Sequence, residues 1–284
     1  MKNKRVKMLA AAISLSAAMI TGSAAFAQED ATEITAEAES EETADGEEAE
    51  AQEEAPCIGE HYTIDVNGVS LYYEVAGEGK PIVLVHGNGG NHKVFSVEIQ
   101  QFVDAGYQVY ALDSRGQGEN EPLDEYHYTD MAEDVYQFIT ELGLEKPAYY
   151  GWSDGGIIAL ELEIAHPNTL GLAAISGTNL NPEGADPEII AIIEEANEAD
   201  PNPLNELMLT EPNIDPEDLT KIEIPVLVLA GSEDVILQEH TELIADKLPN
   251  SELHIVEGED HGSYIQGSDI AGNLVLDFLQ EHDY

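Results

Sequence analysis

The chain has 284 residues, and 58 acidic against 10 basic side chains give it a formal charge of −48 at pH 7. A surface that negative repels nucleic acid and anionic membranes, so neither is an expected partner, and neutral or cationic small molecules approach it more easily than anions. The single cysteine, Cys57, excludes an intrachain disulfide.

The first 27 residues have the form of a secretory signal peptide. Lys2, Lys4, Arg5 and Lys7 give a positive start, Met8 to Ile20 is a mostly apolar run, and Ala25-Phe26-Ala27 offers small residues where a signal peptidase reads. The run is shorter than the ~20 residues of a spanning helix, so no stable membrane insertion is expected once it is removed. Residues 28–55 carry 13 Asp and Glu with no Lys, Arg or aromatic residue. Such a segment cannot offset its ordering entropy and is expected to be disordered and extended by self-repulsion. Residues 56–284 suit one α/β domain. The leader, with no second apolar segment near the C-terminus, predicts a secreted protein, either released or at the cell surface with 28–55 as a spacer.

In the domain, short β-branched runs alternate with helical patterns. Tyr62–Val66 and Leu71–Val75 read as strands around an Asn67-Gly68 turn. Pro81–Val85 is a continuous apolar run suited to a buried parallel strand. A helix over Val94–Ala105 ends at Gly106, and Val109–Leu112 is the next strand. Residues 130–142 show helical spacing at Met131, Val135, Phe138, Ile139 and Leu142, with Gly143 as the stop. Ala148-Tyr149-Tyr150 leads into Gly151-Trp152-Ser153-Asp154-Gly155-Gly156, followed by a helix to His166. Strands follow at Leu172–Ile175, Val226–Ala230 and Leu253–Val256, a helix through Leu243, Ile244 and Leu248 lies between the last two, and a final helix carries Ile270, Leu274, Phe278 and Leu279. This alternation predicts a parallel sheet with helices on both faces and ligand sites at the carboxyl ends of its strands. Residues 179–220 break the rhythm with Pro in acidic sequence. Asp186-Pro187 is a cap-and-first-turn pair before Ile189, Ile190, Ile192 and Ile193, so the insertion reads as a small cap of about two helices.

Gly151-Trp152-Ser153-Asp154-Gly155 is a G-x-S-x-G turn between a predicted strand and a predicted helix, the context that makes its serine a nucleophile. A serine hydroxyl needs a base. Of nine histidines, His261 lies just past the strand ending at Val256, at the carboxyl edge. His254 sits inside that strand and reads as structural; His61, His127, His166, His240 and His282 read as surface or packing residues. The orienting acid falls on Asp234, after the strand Val226–Ala230, with Glu233 as its competitor; the order Ser, Asp, His is that of this triad on this kind of sheet. Backbone N–H groups of Asn88 and Asp154 are the expected oxyanion donors. Gly87 and Trp152 are expected to border the substrate, and His86 to hold its loop. The Asp154 carboxylate either pairs with a substrate ammonium or braces the turn. No acidic cluster has the spacing of a calcium or zinc motif.

Together, Leu84-Val85-His86-Gly87-Asn88-Gly89-Gly90, Asp113-Ser114-Arg115-Gly116-Gln117-Gly118, the turn around Ser153, Gly231-Ser232-Glu233-Asp234 and Gly258-Glu259-Asp260-His261-Gly262 resemble the α/β-hydrolase superfamily across residues 61–284. The turn around Ser153 is similar to that of the valacyclovir-hydrolase and biphenyl-hydrolase-like branch. The resemblance implies a mostly parallel eight-stranded sheet with a short helical cap, Ser153, Asp234 and His261 as nucleophile, acid and base, and no cofactor. With serine as the nucleophile it also implies acyl transfer to water from a small ester, thioester or activated amide or, less often, a carbon–carbon cleavage; Asp113-Ser114-Arg115-Gly116 is expected to brace a loop. The cap is short and acidic, so the resemblance does not fix the substrate. The alternatives are a cofactor-free haloperoxidase or perhydrolase on the same triad, and a non-catalytic binding protein on this fold.

Overall fold

The computed structural model describes residues 58–284; the leader, the acidic segment and Cys57 lie outside the described residues. The sheet begins with a hairpin, β1 (Glu60–Val66) and β2 (Val69–Gly77), joined at Asn67-Gly68, where both residues take positive φ (43° and 80°). That backbone twist matches the strands it joins, and Asn-Gly tolerates it best. Then come β3 (Lys80–Val85), α1 (Ser96–Asp104), β4 (Tyr107–Leu112), α2 (Tyr128–Glu141), β5 (Ala148–Trp152), α3 (Asp154–Ala165) and β6 (Leu172–Ser176). The chain continues through α4 (Pro187–Ala199), α5 (Pro203–Thr210), β7 (Val226–Gly231), α6 (Gln238–Lys247), β8 (Ser251–Val256) and α7 (Ile270–Glu281). The order across the eight-stranded sheet is β1-β2-β4-β3-β5-β6-β7-β8. The pairs β1/β2 and β2/β4 are antiparallel and the rest parallel. No helix among the described residues is long and apolar enough to cross a membrane.

Strand period explains the two cores. In β3, Ile82 and Leu84 face one side with Val109, Ala111 and Tyr150, against Ile99 and Phe102 of α1 and Val275 and Phe278 of α7. Val83 and Val85 face the other side with Tyr149 and Ile175, against Met131, Val135 and Phe138 of α2 and Ile157 and Leu160 of α3. Because both faces of the central strands are covered, they are apolar at every position rather than alternating. Each fully buried side chain of this size stabilises the fold by roughly 1.5–3 kcal/mol.

The predicted helix at Val94–Ala105 starts differently from expectation. Asn91 accepts from the Lys93 N–H at 3.0 Å and caps a 3₁₀ turn over His92–Phe95, and the α-helix begins only at Ser96. The insertion between β6 and β7 carries α4 and α5. Asp186 caps α4 through the Glu188 N–H and Asn202 caps α5 through the Leu204 N–H, each at 2.9 Å and each followed by proline at the first helical position. Ile189 and Ile193 pack with Ala185, Val235 and Ile236, so the cap rests on the loop that follows β7. The Asp186 N–H donates to the Val235 carbonyl and the Leu237 N–H to that of Gly184.

Candidate active site

The sheet order reverses direction at β3, and there β3 and β5 are neighbours. The crevice outside such a switch point is where ligands bind in open α/β sheets. Four connections end there or beside it: the loop after β3, the turn after β5 and the loops after β7 and β8.

Ser153 follows β5 directly and has φ 54° and ψ −113°, an unusual backbone for a residue with a side chain. Its neighbours make the turn possible. A Cβ on Gly151 would stand 2.3 Å from the Gly155 backbone, and one on Gly155 would stand 1.9 Å from the Val85 carbonyl oxygen. The turn therefore requires hydrogen at both positions. The Ser153 carbonyl accepts from the Gly156 and Ile157 N–H groups at 2.9 and 3.2 Å, which starts α3 immediately beneath the serine. The first N–H groups of such a helix have no intrahelical acceptor and favour negative charge.

His261 and Asp234 meet across the ends of β8 and β7. Nδ1 of His261 donates to Oδ1 of Asp234 at 2.7 Å. The same Asp234 oxygen accepts from the Ile236 N–H at 2.9 Å, and the carboxylate is 1 % exposed, so it is held in one orientation. Glu233, the competing acid, is exposed, and its N–H donates to the Glu259 carbonyl instead. Burial pulls the His261 pKa down, but the charge and hydrogen bond of Asp234, helped by Asp260 and Asp154, outweigh it and the net shift is upward.

One peptide links the serine to this pair. The Ser153 N–H donates to the Ser176 carbonyl at 2.7 Å, and the next residue, Gly177, packs against the imidazole. Gly177 has φ 58°, and a Cβ there would lie 2.7 Å from two atoms of the His261 ring and 3.4 Å from Asp234. Sequence reasoning missed Gly177; its signal was a glycine directly after a strand whose end faces the site. Trp152 makes a second link, donating its indole N–H to the His261 carbonyl at 2.9 Å with the rings 5.7 Å apart. Expected to border substrate, Trp152 commits its polar edge to holding the histidine loop.

The loop after β3 lies over the serine. A Cβ on Gly87 would stand 3.0 Å from that of Ser153, so Gly87 keeps the approach to the serine open. The Asn88 side chain donates to Oδ2 of Asp154 at 3.1 Å and to the Leu204 carbonyl at 3.4 Å, tying loop, elbow and cap helix α5 together. Asp154 is 3 % exposed, and its other oxygen accepts from the Tyr128 hydroxyl at 2.9 Å. Burial lifts this carboxyl to about 6, opposed by the hydrogen bonds from Tyr128 and Asn88. Of the two roles considered for it, the bracing one is directly visible. Tyr128, another residue that sequence reasoning did not single out, supplies half of that brace.

His86 holds its loop: Nδ1 donates to the Gly87 carbonyl at 2.7 Å, and Nε2 accepts from the Ser114 N–H at 3.0 Å. Burial pushes its pKa down, as suits a neutral imidazole. Arg115 forms a buried two-point pair with Asp134 of α2 at 2.6 and 2.5 Å, so the Asp113–Gly116 stretch braces its loop. His240 is half-buried and accepts from the Leu180 N–H at 2.9 Å, pinning the start of the cap.

The chain matches two family models, one described as the alpha/beta hydrolase fold over residues 80–193 and one as TAP-like protein over residues 208–283. It is 27 % identical to the mouse serine hydrolase BPHL over 248 residues, covering 76 % of this chain and 85 % of the relative. An esterase from Thermogutta terrifontis superposes with a TM-score of 0.64 at 20 % identity, covering 78 % of this chain and 99 % of the other. A bromoperoxidase from Bacillus anthracis does so with 0.65 at 21 %, covering 78 % and 100 %. The chain belongs to the α/β-hydrolase superfamily.

Proposed function

We propose that this protein is a secreted serine hydrolase that cleaves a small ester, thioester or activated amide through an acyl-enzyme on Ser153. The observation that carries the reading is the 2.7 Å His261–Asp234 hydrogen bond at the sheet edge where the Ser153 turn also ends. In this reading His261 Nε2 takes the Ser153 proton as Oγ bonds to the substrate carbonyl carbon. The Asn88 and Asp154 N–H groups hold the resulting oxyanion. Collapse breaks the bond to the leaving group, which departs with the proton from His261. Water then attacks the acyl carbon, gives a proton to His261 and releases the acid, returning the proton to Ser153. Asp234 stays ionised throughout and orients the ring.

The test is a panel of p-nitrophenyl and aminoacyl esters graded by acyl length and charge, assayed with the wild type and Ser153→Ala. Saturable turnover that disappears in the variant supports the reading; a blank panel with folded protein moves the assignment to a binding protein. Similarity to the bromoperoxidase favours a second reading, in which peroxide replaces water as the acyl acceptor. Peracid formation from acetate and peroxide, faster than ester hydrolysis, would select it. Secretion rests on the Lys2–Ala27 pattern; N-terminal sequencing of protein from culture supernatant and from washed cells tests it, with Gln28 as the expected first residue.

A further inference from the structure

Away from the catalytic edge, the first hairpin and the loop after β3 bring a second set of histidines and carboxylates together. His61 on β1 and Glu74 on β2 are direct partners across the antiparallel ladder, and His92 opens the 3₁₀ turn before α1. One ligating atom from each lies within 4.8 Å of the other two. Glu74 and His92 are buried and His61 is exposed. His92 Nε2 stands 3.7 Å from Glu74 Oε2, close to the ~3.4 Å that separates two ligands of a tetrahedral zinc bound at about 2.0–2.2 Å.

The surroundings aim these atoms. His92 Nδ1 is 2.8 Å from Oδ1 of the fully buried Asp113, which also accepts the His92 N–H at 2.7 Å. A carboxylate at Nδ1 keeps the proton on that nitrogen and turns Nε2 toward Glu74 as an electron-pair donor, the arrangement that supports metal-bound histidines. Glu74 is fixed in turn by its Oε1, which accepts from the Ile58 and Gly59 N–H groups at 3.0 and 2.7 Å. Tyr72 stacks on His61 with centroids 5.5 Å apart and holds the exposed ring beside the site. Two buried carboxylates thus converge on one imidazole, and buried charge needs compensation that a dication supplies.

We propose that His61, Glu74 and His92 form a binding site for a divalent transition metal, zinc foremost, which staples the first hairpin to the loop following β3. Two imidazoles and one carboxylate suit zinc, cobalt(II) or nickel(II), whereas calcium and magnesium take all-oxygen sets. Sequence spacing did not reveal the site, because its ligands come from three segments that only the sheet brings together.

The test uses the full chain, freed of metal by chelation and titrated with cobalt(II), then zinc. The expected result is one cobalt per chain with the visible absorption of a low-coordinate site, displaced by zinc; six-coordinate cobalt on surface carboxylates lacks that intensity. His61→Ala, at an exposed position, and Glu74→Gln are each expected to weaken zinc binding at least tenfold, and the exposed His254→Ala to leave it unchanged. Zinc raises Tm in the wild type but not in His61→Ala. Absence of a saturable band, or zinc affinity equal in wild type and His61→Ala, overturns the proposal.

Discussion

Two histidine–aspartate pairs stand at strand ends in this molecule, and their inner geometry is nearly the same. His261 Nδ1 is 2.7 Å from Asp234 and His92 Nδ1 is 2.8 Å from Asp113. Both carboxylates also accept backbone N–H groups, from Ile236 and from His92 and Glu119. The two environments differ on the remaining side of the ring. His261 packs on Gly177 and Trp152 at the serine turn, whereas His92 faces Glu74 and, through it, His61. A carboxylate at Nδ1 does the same physical work in both places, fixing the tautomer and the orientation of the ring. In the two proposed roles, the group set before Nε2 decides whether that nitrogen takes a proton or holds a metal.

Substitutions at the two pairs separate these roles. Ser153→Ala and His261→Ala should each lower kcat/KM for the best ester by about 10⁴ or more, measured with active-site-free blanks. Asp234→Asn should lower it by about 10³–10⁴, since the amide no longer enforces the tautomer. The same change at the other pair, Asp113→Asn, should reduce zinc affinity by about 10–100-fold, the usual cost of losing such a partner. The acid limb of its pH profile should stay where it is. Comparable effects of the two Asp→Asn changes on both zinc and turnover would dissolve the distinction.

Much of this was legible in the sequence, because the relevant signals are local. The apolar runs of β3, β5 and β7 and the glycines around Ser153 are backbone requirements written in consecutive residues. Asp234 and His261 were candidates because each follows a strand end by a few residues, and the structure brings the two side chains together. The second pair was invisible for the opposite reason. His92 and Asp113 lie on either side of α1 and β4, and His61 and Glu74 meet only through hairpin register. The cap was legible as an insertion, and its first helix through Asp186-Pro187. Asn202-Pro203 is the same signature and starts α5, but acidic and amide-rich sequence around it hid the boundary. Tyr128 escaped notice because it lies before the helix predicted at 130–142, and its hydroxyl meets Asp154 only in the folded chain.

Two smaller effects sharpen the catalytic side. Asp154→Asn should cost about tenfold in kcat/KM, equally on aminoacyl and neutral esters, because both carboxylate oxygens already serve Tyr128 and Asn88. A loss confined to aminoacyl esters would instead make Asp154 an acceptor for a substrate ammonium. In the proposed mechanism the base must be neutral to act, and His261 is shifted upward, so kcat/KM should rise with pH through a midpoint above 6.5. Asp154→Asn removes one of the charges that raise it and should move that midpoint to lower pH.

The central claim is that Ser153 is an activated nucleophile, and covalent labelling tests it most directly. The protein would be treated with a fluorophosphonate probe, digested and mapped by mass spectrometry, with Ser153→Ala and His261→Ala treated in parallel. The account predicts one modified residue, Ser153, with labelling absent in Ser153→Ala and strongly slowed in His261→Ala. Folded wild-type protein that resists the probe, or is labelled elsewhere with equal speed, would contradict it.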